Sequence, residues 1–198
     1  MTISTATDSE GNVYQLWAQR QANSCGVAAI WMARGIALQM SMNEGEWELA
    51  NRMYYQAIAG MMPEAGPPPH GAPQSLDPGS YAANQDTMEN TFASFGVYGR
   101  QVADMLRQEG FNVRRMRARS VLGDWLTPTR PAIILVGWYP NGRARRQGGH
   151  FIVAAAQTRS KRIVYLDPWG GVLREVRNNG RYPENGIGIV EEAIYFRD

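Results

Sequence analysis

The spacing of apolar residues changes about halfway along the chain. From Cys25 to Leu38 the sequence CGVAAIWMARGIAL carries apolar side chains on nearly every face until Arg34, which predicts a central helix buried on most sides. Asn23 or Ser24 just before it has the short polar side chain that caps a helix start. A second helix is expected from about Glu46 to Ala59, where Trp47, Ala50, Tyr54, Ala57 and Ile58 form one stripe and Glu46, Glu48 and Arg52 fall off it. Between Met61 and Gln85, four prolines lie within Pro63 to Pro69, followed by Pro73 and Pro78. That stretch reads as a long loop, of the kind that links elements or shapes a cleft. A third helix, near Gln101 to Gln108, groups Val102, Met105 and Leu106 and stops at Gly110.

After Gly110 the period is that of strands. Phe111 to Met116, Ala132 to Trp138, His150 to Ala155, Arg162 to Leu166 and Ala193 to Phe196 are short, rich in Val, Ile and aromatic residues, and separated by Gly, Pro and Asn turns. A helical part over about 16–110 followed by a strand-rich part over about 111–198 predicts one α+β domain, with the buried helix packed against a mostly antiparallel sheet.

Composition narrows the function. With 198 residues, 44% of them hydrophobic and 19% charged, the chain supports one full core, or two subdomains sharing a cleft, and is not disordered. The longest uncharged apolar runs fall far short of the roughly 20 residues that cross a bilayer, so no membrane span is expected. Met1 to Gln15 is polar, without a basic start or an apolar centre, which predicts no cleavable secretion signal and synthesis in the cytosol. Twenty basic against 18 acidic residues give a net charge of +2, which argues against nucleic acid as the main partner. Cys25 is the only cysteine, and His70 and His150 are the only histidines. An internal disulfide and a multi-cysteine metal site are thereby excluded, and soft ligands are too few for a typical zinc centre.

One Cys and one His can still do chemistry if the fold brings them together. A thiol is a nucleophile only as thiolate, and the first turn of a helix, with its free N–H groups and positive dipole end, is where an anion is stabilised. Cys25 is expected there, although a lone cysteine is also an ordinary small buried hydrophobe. Gln19 lies six residues earlier across the polar RQANS, and its carboxamide together with the Cys25 backbone N–H would form an oxyanion hole. Gly26 lets the backbone come close to a ligand. His150 opens the strand HFIVAA, and Asp167 closes the strand RIVYLD. If these two strands form a hairpin through a two- or four-residue turn centred on Arg159 and Ser160, position 150 stands opposite 169. Asp167 is then its diagonal neighbour on the same face. An odd-length turn would put the two side chains on opposite faces.

Gln19, the string Asn23-Ser24-Cys25-Gly26 opening an apolar helix, Gly149-His150-Phe151-Ile152-Val153 and Asp167-Pro168-Trp169-Gly170 resemble the papain-like cysteine peptidases. The similarity is to the compact bacterial branches, such as double-glycine leader peptidases and secreted effector proteases, and it covers the two ends of the catalytic core. The resemblance does not extend over about 60–130. The resemblance implies a papain-like fold with Cys25 as nucleophile, His150 as general base and then acid, Asp167 as its orienter and Gln19 as oxyanion donor. It places Gly149 and Trp169 against the substrate, Trp169 covering the His150–Asp167 bond or packing as a core aromatic. The chemistry implied is acyl transfer through a thioester, with no metal or organic cofactor, on a protein or peptide substrate.

Size and resemblance together suggest an effector or toxin protease delivered into another cell by a signal-peptide-independent route, with a cognate immunity or inhibitor protein in the producer. A transglutaminase, deamidase or acyltransferase would use the same triad. An inactive binding module on a peptidase scaffold is the alternative from another class. Arg143, Arg145 and Arg146 precede His150 in a loop that either attracts acidic substrate segments or is simply solvated. Arg114, Arg115, Arg117 and Arg119 read as a solvated edge that discourages strand pairing. His70, in PPPHGAP, reads as a surface loop residue.

Overall fold

The computed structural model describes residues 2–19, 24–45, 48–49, 98–140, 146–183 and 186–198. The first helix, α1 (Cys25–Leu38), begins at Cys25 as expected, and its first nine residues, Cys25 to Ala33, are all buried. A continuous apolar run has no polar face to turn outward, so this part of the helix is covered on every side. It ends at Gln39, whose backbone is left-handed at φ 51°. The helix α2 (Gly99–Gln108) stands where Val102, Met105 and Leu106 predicted it, with all three buried. Of the helix expected from Glu46 to Ala59 only Glu48 and Leu49 are described, Leu49 fully buried. The rest of it and the proline-rich stretch 61–85 lie outside the described residues.

The N-terminus corrects the expected helical start at about residue 16. β1 (Thr2–Thr7) and β2 (Val13–Ala18) form an antiparallel hairpin, paired from Thr2–Ala18 to Thr7–Val13. Asp8 organises its turn: Oδ1 accepts the N–H groups of Glu10 at 2.9 Å and Asn12 at 2.8 Å, and Gly11 supplies a φ of 87°. Most of β1 is exposed, so its sequence TISTAT carries no apolar period to read. Trp17 of β2 meets Trp31 of α1 edge to face, with ring centroids 4.8 Å apart, which fastens the hairpin to the helix.

The main sheet has seven strands, β3 (Val113–Arg117), β4 (Ala132–Trp138), β5 (Gly149–Gln157), β6 (Arg162–Asp167), β7 (Val172–Arg177), β8 (Arg181–Tyr182) and β9 (Gly188–Phe196). Their order is β3-β9-β4-β5-β6-β7, β8 also pairs with β9, and every pairing is antiparallel. The protein is therefore α+β with a mostly antiparallel sheet. β7, β8 and the first half of β9 had no assignment in the sequence, because their residues alternate weakly and are interrupted by Gly and Asn. β3 lies at the sheet edge with Arg114, Arg115 and Arg117 exposed, and Arg115 meets Glu192 of β9 at 2.6 Å.

The sheet buries both faces. One packs against α1, α2 and β2 through Ile133, Phe151, Val153, Leu166 and Ile194. The other is filled by Ile134, Ile152, Tyr165, Tyr182 and Tyr195 under the 118–126 segment. Two-sided burial is why β5 and β6 read as unbroken apolar runs rather than alternating ones.

Candidate active site

α1 supplies the thiol. Cys25 is the first residue of the helix and is 8% exposed. Ser24 takes the cap position, but its side chain makes no capping bond and no acidic residue occupies the first turn. The N–H groups of that turn are therefore not claimed by a cap, which is the setting an anion needs.

The sheet supplies the base and the carboxylate. His150, on β5, is 4% exposed, and its Nε2 lies 2.6 Å from Oδ1 of Asp167, the last residue of β6. Its ring also hydrogen-bonds with the Cys25 thiol. Since Asp167 holds Nε2, the nitrogen left for the thiol is Nδ1. The structure thus brings Cys25, His150 and Asp167 together in the order the sequence suggested.

The hairpin achieves this by a different route from the expected even turn. Thr158 N–H donates to Arg162 O at 2.8 Å and Lys161 N–H to Thr158 O at 2.9 Å, leaving Arg159, Ser160 and Lys161 as a three-residue turn with Lys161 at φ 61°. An odd turn alone would have set His150 and Asp167 on opposite faces. The register then shifts between Ala154 and Ala156: Gln157 pairs with Ile163 and Ala156 with Val164, but Ala154 pairs with Tyr165 and Val153 with Leu166. Ala155 is the extra residue of a β-bulge, and Ala155 and Ala156 both face the α1 core. The bulge cancels the odd turn. Carried past Val153–Leu166, the restored register puts His150 across from Trp169 and Asp167 diagonal to it, as the shared-face reading requires.

Gln19 follows β2, and its backbone N–H donates to Pro168 O at 2.9 Å, in the turn directly after Asp167. That contact depends on Gly171, whose φ is 62° and whose Cβ, if it had one, would lie 3.1 Å from the Ala18 backbone nitrogen. Gln19 is thereby fixed at the carboxylate end of the cluster. Residues 20–23, which lead to Ser24, lie outside the described residues.

The electrostatics follow from burial opposed by hydrogen bonds. Burial alone would push the His150 pKa down, but the hydrogen bonds to Asp167 and Cys25 and their charges outweigh it and raise it from 6.5 to about 9. Burial would raise Asp167, yet the bonds from His150, Tyr182 and the Trp169 N–H hold it below the usual carboxylate value of 3.8. An imidazole that holds its proton to about pH 9 stands positively charged beside the Cys25 thiol at neutral pH.

No protein-family model matches this chain, and no curated protein matches it significantly. Among the described residues, no three His, Cys, Asp or Glu side chains are placed to hold a metal ion, and no helix is long and apolar enough to cross a membrane.

Three neighbours escaped the sequence reading. Tyr182 of β8, 1% exposed, donates its hydroxyl to Asp167 Oδ2 at 2.6 Å, and Arg174 of β7 hydrogen-bonds with that phenol. Trp138 of β4 stacks on the His150 ring at 6.0 Å between centroids and 22° between planes. Only an aromatic residue before proline marked Tyr182 in the sequence, and Trp138 resembled any strand-end aromatic. Trp169, 66% exposed, meets the imidazole edge to face at 6.2 Å, and its backbone N–H donates to Asp167 Oδ1 at 2.8 Å. It covers the pair from outside and is not a core residue. Gly149 lines the same cavity as His150 and Trp169, of about 340 Å³. Arg146 pairs with Glu191 at 3.3 Å and bonds Gly148 O. Arg143, Arg145 and His70 lie outside the described residues.

Proposed function

We propose that the protein is a cysteine peptidase of papain-like type acting on a protein or peptide substrate. The observation that carries this reading is the buried His150 ring held between the Cys25 thiol and the Asp167 carboxylate. In this reading the Cys25 thiolate attacks the carbonyl carbon of a peptide bond. The oxyanion rests on the Gln19 carboxamide and the Cys25 N–H at the helix start. His150 delivers its proton from Nδ1 to the leaving amine, and the C–N bond breaks to give a thioester. Water, deprotonated by His150, then releases the acid and restores the thiol. Nothing in these steps calls for a metal or organic cofactor. A role as an effector or toxin protease, with a cognate inhibitor protein in the producing cell, is the biological setting proposed for it.

The test is the alkylation rate of Cys25 by iodoacetamide as a function of pH, followed by intact mass, in the native chain and in His150→Ala. With a single thiol the signal has one source. Fast labelling that extends well below pH 7 and is slowed by the substitution is expected. Labelling that rises only near pH 8.5 in both proteins would sink the proposal and favour a binding module. Product analysis of peptide substrates then separates hydrolysis from amide transfer by the same triad.

A further inference from the structure

The cavity beside His150 contains a charge that peptide-bond cleavage does not use. Arg174 lines it together with Trp138, Trp169 and Tyr182, while His150 and Asp167 close its inner end. On β7, Arg174 pairs with Tyr165, and Val172 pairs with Asp167, so Arg174 is the diagonal neighbour of Asp167 on the same face of the sheet. His150 is the diagonal neighbour on the other side.

Asp167 is already committed. Its Oδ1 accepts from His150 Nε2 and the Trp169 N–H, and its Oδ2 accepts from the Tyr182 hydroxyl. Arg174 bonds with the neutral phenol of Tyr182. Among the described residues, no carboxylate lies within ion-pair distance of Arg174. The adjacent acid, Glu175, points to the opposite face and is engaged by Ser9. A guanidinium at the edge of an aromatic-walled cavity, with no carboxylate partner among the described residues, is a ready fork for one brought by a ligand.

The side of the site matters too. Cys25 does not line this cavity, and His150 stands between the two. A group leaving Cys25 takes its proton from His150, so the chain departing with the new amine runs toward Trp169 and Arg174.

We propose that this cavity binds a carboxylate on the leaving side of the scissile bond through Arg174. The preferred substrates are then peptides with a carboxylate just after the cleaved bond, either an Asp or Glu side chain or the chain's own C-terminus. This rests on the peptidase reading for the direction of the substrate, while the anion preference of the cavity can be read without it.

Paired bromoacetyl probes of the Cys25 thiol provide the test. Bromoacetyl-glutamate α-amide against bromoacetyl-glutamine α-amide reports the side-chain source. Bromoacetyl-glycine against bromoacetyl-glycinamide reports the terminal source. Each rate is divided by that of uncharged iodoacetamide. In at least one pair the carboxylate member is expected to react about tenfold faster, the size of one charge-assisted contact at a partly open site. Arg174→Gln should bring the ratio to about one, and Arg174→Lys, which keeps the charge but not the fork, should leave part of it. Ratios near one in the native protein, or a preference that survives Arg174→Gln, would overturn the proposal. A slow, ordinary iodoacetamide profile beside an intact carboxylate preference would instead sink the peptidase reading and leave the anion site standing.

Discussion

Tyr182→Phe removes one oxygen from the most enclosed part of the site, and its effect can be worked out beforehand. The hydroxyl is the only donor to Asp167 Oδ2 among the described contacts, at 2.6 Å, and both residues are buried, 1% and 6% exposed. Phenylalanine fills the same space, so no cavity term enters and the loss is that of a charge-assisted bond to a carboxylate left with an unpaired oxygen, about 2 kcal/mol. For a chain of this size that corresponds to a fall in Tm of about 4–8 °C at pH 7. The same bond helps hold Asp167 below its usual pKa, so its loss leaves a more basic carboxylate facing the imidazole, and His150 should titrate at higher pH than its native value of about 9. NMR of the imidazole carbons reads this directly, because only two histidines contribute signals. A melting point within about 1 °C of native, or a His150 midpoint that does not move, would refute the argument that Tyr182 supports the pair through Asp167.

Two further outcomes follow from the same geometry. Asp167→Asn removes the charge and leaves burial to dominate, so the His150 midpoint should fall from about 9 by about 1–3 units. Because the folded pKa of Asp167 lies below 3.8, its contribution to stability is present above that value and disappears as the pH falls through the folded pKa, and acid titration of stability should show this limb in the native chain and not in the variant. Deleting Ala155 removes the bulged residue while keeping Ala154 opposite Tyr165 and Ala156 opposite Val164; the cost should be about 1 kcal/mol for one buried methyl, with fast Cys25 alkylation retained. Inserting an alanine after Ala155 slips the register and should abolish fast alkylation. A folded deletion variant with an ordinary thiol beside an insertion variant with a fast one would contradict the register argument.

How legible each part was in the sequence depended on how local its physics is. α1 could be read because nine consecutive buried residues leave no ambiguity about its environment, and β4, β5 and β6 because burial on two faces makes them continuously apolar. Cys25 and His150 stood out by scarcity, and Asp167 by closing a strand of the right length. The N-terminal hairpin was hidden because its determinant is the carboxylate of Asp8 rather than a hydrophobic period. Tyr182 reaches Asp167 only after β7 and the turn beyond it have folded back, and Trp138 reaches His150 through the pairing of Val136 with that residue. Neither link has a signature at fixed spacing. The shared face of His150 and Asp167 calls for an even turn and the turn at Arg159 to Lys161 is odd, yet Asp167 stands beside His150 because Ala155 supplies a second, opposite offset.

That cancellation shows where control of the chemistry resides. Asp167 is an acceptor at the centre of three donors, the imidazole, the Trp169 amide and the Tyr182 hydroxyl, with the phenol in turn bonded by Arg174. An ionised carboxylate can only accept, so His150 must carry a proton on Nε2, and Nδ1 is the nitrogen left to take the proton from Cys25 in the chemistry we propose. The tautomer of the base is therefore set by strand register. β5 and β6 must bring their side chains to one face, β7 and β8 must bring Arg174 and Tyr182 beneath them, and β4 must lay Trp138 on the ring. The helix contributes the thiol and the N–H groups around it, but which nitrogen acts, and how firmly it holds its proton, is decided in the sheet.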